Sequence, residues 1–278
     1  MQPHRKPIDR FEDLEPDFQK SDAALWASIS DKMEQRPPAK TIRMNRVWYA
    51  VAAGFLLLIG LAGFLRFYPH TVTAPLGAQL THELPDGSSV ELNAGTELSY
   101  HPLWWSISRE LNLTGEAFFE VESGNSFTVH SPEGQTSVLG TSFNIFARDG
   151  AYRVFCQTGK VRVADPAGNE TFIITAGESV SFDRKGQSGN KRTDTGEVHT
   201  AWRTGKLSFK EMPLDKVFEE IERQYKVQIQ APESVGNLRF GAYFQKPETP
   251  QEALDLICGQ FGLAYRQDQP DSFTISPK

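Results

Sequence analysis

The chain has 278 residues, a formal net charge of −6 and an ordinary hydrophobic content of 39%. The length suffices for about two domains, and the acidic balance argues against direct nucleic-acid binding. Two cysteines exclude a disulfide-stapled scaffold, and six scattered histidines offer no metal-ligand spacing, so neither a metal nor a cofactor is expected.

Residues 1–46 are polar and too few to build a core. Within them Leu25, Trp26, Ile29 and Met33 recur at helical spacing, with Ser21 or Asp22 able to cap the start. Pro16 breaks anything continuous from Phe11, and Pro37-Pro38 ends the helix. An apolar stripe without a core must be buried elsewhere, either on a partner protein or on a membrane surface.

Val47–Leu65 reads VWYAVAAGFLLLIGLAGFL, 19 residues without a charge. As a helix it reaches roughly 28 Å, close to the thickness of bilayer hydrocarbon. Trp48 and Tyr49 at one end, and Phe67 and Tyr68 at the other, sit where interfacial anchors belong. The segment lies too far from residue 1 for a secretory signal, so residues 47–67 are expected to span a membrane. Lys32, Arg36, Lys40, Arg43 and Arg46 precede it, whereas Arg66 is the one Lys or Arg between it and Arg109. The positive-inside rule then places the N-terminus in the cytoplasm and the C-terminus outside.

Residues 70–77, flanked by Pro69 and containing Pro75, read as a linker. Residues 78–183 carry about ten short strand signals punctuated by turns such as Pro85-Asp86-Gly87, which predicts an all-β sandwich or roll. Arg109–Leu113 and Ala117–Val121 read as separate strands. Glu116, Glu120 and Glu122 alternate as the wet face of a strand does, a simpler account than acid–base catalysis. Cys156 shares the parity of Tyr152 and Val154, and two buried free thiols are expected rather than a bond to Cys258. Asp183–Thr200 is hydrophilic and reads as a second linker.

Residues 202–278 change pattern. Two segments, LSFKEMPLDKVFEEIERQYKVQI and YFQKPETPQEALDLICGQFGLAY, each run strand, proline, amphipathic helix, strand. They predict a small α+β domain, βαβ-βαβ, with both helices on one small sheet. No nucleophile elbow, dinucleotide fingerprint or Walker loop occurs anywhere, so the chain is not expected to be an enzyme.

LPDGSSVELNAGTELSY, LTGEAFFEV, FTVHSPEGQTSVLGTSFNIFA, QTGKVRV, AGESVSF and AWRTGKLSF follow one another in an order that resembles the FecR family, and the C-terminal unit is similar to the domain that follows in its Bacteroidetes-like branch. The resemblance implies an inner-membrane anti-sigma regulator. It would relay ligand occupancy of an outer-membrane TonB-dependent receptor to an extracytoplasmic-function sigma factor. Its partners would be the receptor's periplasmic signalling domain, meeting residues 202–278, and the sigma factor, meeting residues 1–46. The cytoplasmic segment is shorter than the family's usual helical region; Leu25, Trp26, Ile29 and Met33 are its candidate contacts. Some family members cleave themselves at a glycine–threonine bond, which Gly140-Thr141 in VLGTSF matches; a bulge between two strands is the structural alternative. An alternative to the whole reading is a membrane-anchored carbohydrate-binding module, with Trp104, Trp105 and Phe118 stacking on sugars.

Overall fold

The computed structural model describes residues 21–34, 45–66, 68–182, 189–193 and 195–278. The expected basic flank at Arg36, Lys40 and Arg43, the prolines at 16, 37 and 38, and part of the second expected linker lie outside these residues. The chain forms two compact units, Met1–Leu58 and Ile59–Lys278.

The first unit contains helix α1, Asp22–Glu34, with Asp22 in its first turn and Lys32 in its last, both favourable to the helix dipole. None of its residues is buried. Helix α2, Arg46–Arg66, runs from this unit into the second and is apolar on every face, with no buried residue along its 21 positions. It is the one described helix long and apolar enough to cross a membrane.

Beyond α2 comes a β domain. Its strands are β1 His70–Ala74, β2 Leu80–Glu83, β3 Ser89–Leu92, β4 Thr96–Tyr100, β5 Arg109–Glu120, β6 Phe127–Ser131, β7 Gly134–Val138, β8 Ser142–Arg148, β9 Ala151–Thr158, β10 Lys160–Ala164, β11 Thr171–Thr175, β12 Glu178–Phe182 and β13 Gly189–Thr193. Two sheets meet in β5. Its first half pairs with β4 and β6, and its second half with β3 and β8. β1, β7, β10 and β11 extend the first sheet; β2, β9, β12 and β13 extend the second.

Arg109–Glu120 is therefore one strand and not the two expected. Gly115 lets it change sheets at φ 126°, and a Cβ there would sit 2.6 Å from Thr96 Oγ1, so no other residue fits. The inward faces of both sheets supply a single core, including Leu98, Leu111, Leu113, Phe119, Phe127, Phe143, Ile145, Tyr152 and Val154. Cys156 joins it as a free thiol; burial pushes both Cys156 and Cys258 up to about 11. The parity of the β9 residues is thus a core-facing pattern, as expected.

Two expected linkers are corrected. Residues 70–74 form β1, because alternating Val72 and Ala74 can be buried against β4. The segment 183–200 includes β13, paired with β12, and a short helix α3, Glu197–Thr200.

The C-terminal domain contains β14 Lys206–Pro213, α4 Leu214–Tyr225, β15 Gln228–Gln230, α5 Glu233–Gly236, β16 Arg239–Gln245, α6 Pro250–Phe261, β17 Leu263–Gln269 and β18 Ser272–Pro277. β14 pairs with β16 alone, while β18 lies between β15 and β17. The expected single small sheet is thus two sheets: the opening strands of the two repeats pair with each other, and their closing strands make a separate sheet. Leu214, Val217, Phe218 and Ile221 of α4 and Ala253, Leu254, Ile257 and Cys258 of α6 share a second core. Thr249 caps α6 by accepting from Glu252 N–H, and Gly262 ends it in the left-handed region.

Candidate regulatory interfaces

The seam between the β domain and the C-terminal domain is built from charge. Glu116 follows the Gly115 crossover and turns towards α4. Its carboxylate accepts from Asn93 Nδ2 at 2.8 Å and Asn144 Nδ2 at 3.0 Å. Burial raises the Glu116 carboxyl, opposed by the nearby Arg148 guanidinium. Arg148, at the end of β8, is held by the Asp149-Gly150 turn, where both residues take positive φ. Its Nη2 donates to Ala94 O at 2.7 Å and to Thr96 Oγ1 at 3.1 Å. Its Nη1 stands 3.9 Å from Glu220 of α4.

Glu220 in turn accepts from Arg223 Nε at 3.0 Å and Gln224 Nε2 at 2.9 Å. Gln224, almost fully buried, also donates to Asn93 Oδ1 at 2.9 Å and accepts from Lys246 Nζ at 3.1 Å. The Asn93 side chain therefore bonds both domains.

A second clasp lies beside it. Trp202 Nε1 donates to Asn144 Oδ1 at 3.2 Å, Gln79 Nε2 donates to Trp202 O at 2.8 Å, and the Arg203 guanidinium pairs with Glu91 while lying 3.6 Å above the Phe118 ring. Between the clasps is a cavity of about 540 Å³ whose walls include Glu116, Arg148, Trp202 and Glu220. Such a seam orients one domain on the other. Replacing one partner leaves a buried charge exposed to an apolar environment, whereas separating the domains returns every group to water.

The alternation of Glu116, Glu120 and Glu122 predicts the wet face of a strand. The alternation was read correctly, but the second domain covers that face. Glu120 and Glu122 remain exposed. The three aromatic sugar-stacking candidates do not form a platform: Trp105 lies in the core, Phe118 lies beneath Arg203, and Trp104 alone reaches the surface. Arg148 and Glu220 carried no local signal, since a residue pair this distant in sequence shows only in the fold.

On α1, Leu25, Trp26, Ile29 and Met33 are all exposed, and Trp26, Ile29 and Met33 border one depression with Ser30 and Glu34. Gly140 and Thr141 connect β7 to β8. A Cβ on Gly140 would meet Ser123 Oγ at 2.7 Å, so glycine is needed for close approach rather than for a turn alone. Thr141 accepts from Val121 N–H at 2.9 Å through its carbonyl, but its buried hydroxyl has no hydrogen-bond partner among the described residues.

FecR protein matches residues 70–162, and FecR, C-terminal matches residues 206–275, together more than half of the chain. No curated protein matches it. Two crystal structures of a candidate anti-sigma factor from Parabacteroides distasonis ATCC 8503 are similar. One has a TM-score of 0.70 at 26% identity, covering 76% of this chain and 100% of that one. The other has a TM-score of 0.69 at 27% identity, covering 75% and 99%. With both domains present in order, and with a fold shared at full length by those structures, the chain belongs to the FecR family of regulators.

Proposed function

We propose that this chain is a single-pass inner-membrane regulator of an extracytoplasmic-function sigma factor, with residues 1–46 in the cytoplasm, residues 47–67 in the membrane, and the β and C-terminal domains in the periplasm. The observation that carries the reading is the order of parts. An exposed helix with an apolar face precedes the apolar helix α2, and the two FecR domains follow it. The basic residues ahead of α2 favour this orientation. α1 binds the sigma factor by laying Leu25, Trp26, Ile29 and Met33 into an apolar groove. The C-terminal domain meets the signalling domain of a TonB-dependent receptor, and the charged seam lets receptor binding reposition that domain on the β domain.

Two measurements test this. A reporter that matures only in the periplasm, fused after residue 70, is expected to be active; a cytoplasmic result removes the relay. Residues 1–46 are expected to retain the sigma factor, and Trp26→Ala to reduce that retention by about tenfold or more, the cost of truncating a buried aromatic anchor. Unchanged retention would reassign the contact.

A second reading concerns Gly140-Thr141, and the unpartnered hydroxyl of Thr141 favours it. The hydroxyl adds to the Gly140 carbonyl, its proton passes to the amide nitrogen, and the C–N bond gives way to an ester. Water then hydrolyses the ester to a Gly140 carboxylate and a chain beginning at Thr141. Intact mass of the purified protein is expected to show that fragment and to lose it in Thr141→Val; a single intact mass removes the reading.

A further inference from the structure

The loop between β4 and β5 reads HPLWWSIS from His101 to Ser108 and carries no Asp, Glu, Lys or Arg. Trp105 tucks into the core, where its ring meets those of Tyr100 and Phe127. Its neighbours point the other way, with Leu103 63% and Ile107 67% exposed. Singly exposed aliphatics are ordinary, but adjacent ones on an uncharged loop are not.

The sheet register says where this loop lies. β1 pairs antiparallel with β4, so His70, four residues beyond the end of α2, stands opposite Tyr100, the last residue before the loop. The chain's exit from α2 and the loop therefore share one end of the sheet. The side chains agree: the Arg66 guanidinium, closing α2, stands 5.0 Å from the centre of the Trp104 ring. Further along the same end, Arg109 of β5 stands opposite Phe127, and Phe127 opposite Val138. Leu139, the next residue, is 66% exposed.

We propose that this end of the β domain seats on the outer leaflet of the membrane that α2 crosses, with Leu103, Ile107 and Leu139 entering the headgroup–acyl boundary and Trp104 lying at headgroup depth beside Arg66. The occupant is a lipid surface because the patch continues from the end of the membrane-crossing helix, and because an uncharged aliphatic rim with an indole has the composition of interfacial anchors. This inference rests on the membrane reading of α2.

The test uses the full chain in lipid nanodiscs of phosphatidylethanolamine and phosphatidylglycerol, carrying one nitroxide at a time. Labels are placed by Leu103→Cys, Ile107→Cys and Leu139→Cys, with Phe55→Cys as the mid-helix reference and Gln269→Cys, exposed in the C-terminal domain, as the water-side reference. The buried Cys156 and Cys258 are expected to take no label, which the unsubstituted chain checks. Collision with oxygen relative to a water-soluble nickel chelate is expected to place the 103, 107 and 139 labels between the two references, as the headgroup–acyl boundary requires. If the 103 and 107 labels behave like Gln269→Cys while Phe55→Cys remains in lipid, the seating is wrong and the membrane reading stands. Shielding of these labels from both relaxants means that protein covers the patch, which also overturns the seating. An aqueous Phe55→Cys removes both readings.

Discussion

The β-domain core and the seam beside it solve opposite problems with neighbouring residues of one strand. Phe119 of β5 is sealed between the sheets, with its ring stacked on Phe143 at 5.0 Å. Glu116, three positions earlier, faces asparagines, an arginine and a cavity. Apolar burial is non-directional and large, so the core gives stability with little orientation. Paired buried charges contribute little net stability but fix one arrangement, and they come apart into water, leaving chiefly Trp202 and Phe118 as apolar surface uncovered. A domain that a partner is proposed to move is better held by the second kind of contact.

The comparison can be broken most severely at Gly115. Gly115→Val brings a side chain onto Thr96 and forces a strained φ, so a loss of about 4 kcal/mol or more is expected, read as absence of folded protein. Phe119→Ala should cost about 3–5 kcal/mol and lower the urea midpoint of the whole β domain. Arg148→Met should cost about 3 kcal/mol at the seam by leaving Glu116 without its nearby cation and Glu220 with Arg223 alone. Its signature is faster hydrogen exchange in α4 with unchanged exchange in β8 and β9. Loss of protection in both places would mean that seam and core are one cooperative unit. Gln224→Ala should do the same more weakly, about 1 kcal/mol, because it removes one of the two donors to Asn93 Oδ1 and one of the two Gln224 acceptors of Lys246.

The smallest effect is a pH dependence. Burial raises the Asp86 carboxyl, but hydrogen bonds from Arg109 and Ser88 outweigh it and leave the group below its ordinary value of 3.8. A depressed folded-state value means stability that is fully present above 3.8 and lost as pH falls through the folded-state value. Asp86→Asn should flatten urea midpoints across that acid window and lower them at neutral pH; an unchanged slope would assign the acid sensitivity elsewhere.

What could be read from sequence depended on the range of the interaction. Cys156 was placed by parity with Tyr152 and Val154, and α4 by its spaced Leu214, Val217, Phe218 and Ile221, because local periodicity reports which face is buried. The same parity failed at Glu116, where it gave the correct face but not what covers it. A glycine inside a strand reads as a break, which splits β5 in two, whereas here Gly115 carries one strand from sheet to sheet. Trp104 and Trp105 looked alike in sequence and have opposite fates. The Arg148–Glu220 pair and the two-sheet pairing of β14 to β18 depend on contacts between distant segments, which no local pattern encodes.

β5 is also the only described strand that belongs to both sheets, and its ends answer to different neighbours. Arg109, at its start, is locked to Asp86 at 2.9 Å beside the loop nearest α2, and Glu116 touches the asparagine that α4 grips. The seven residue steps from one to the other span about 23 Å of extended chain. Hydrogen-bonded on both flanks, that stretch can slide or tilt but cannot stretch. A displacement of α4 thus meets a stiff spar that ends beside the root of α2.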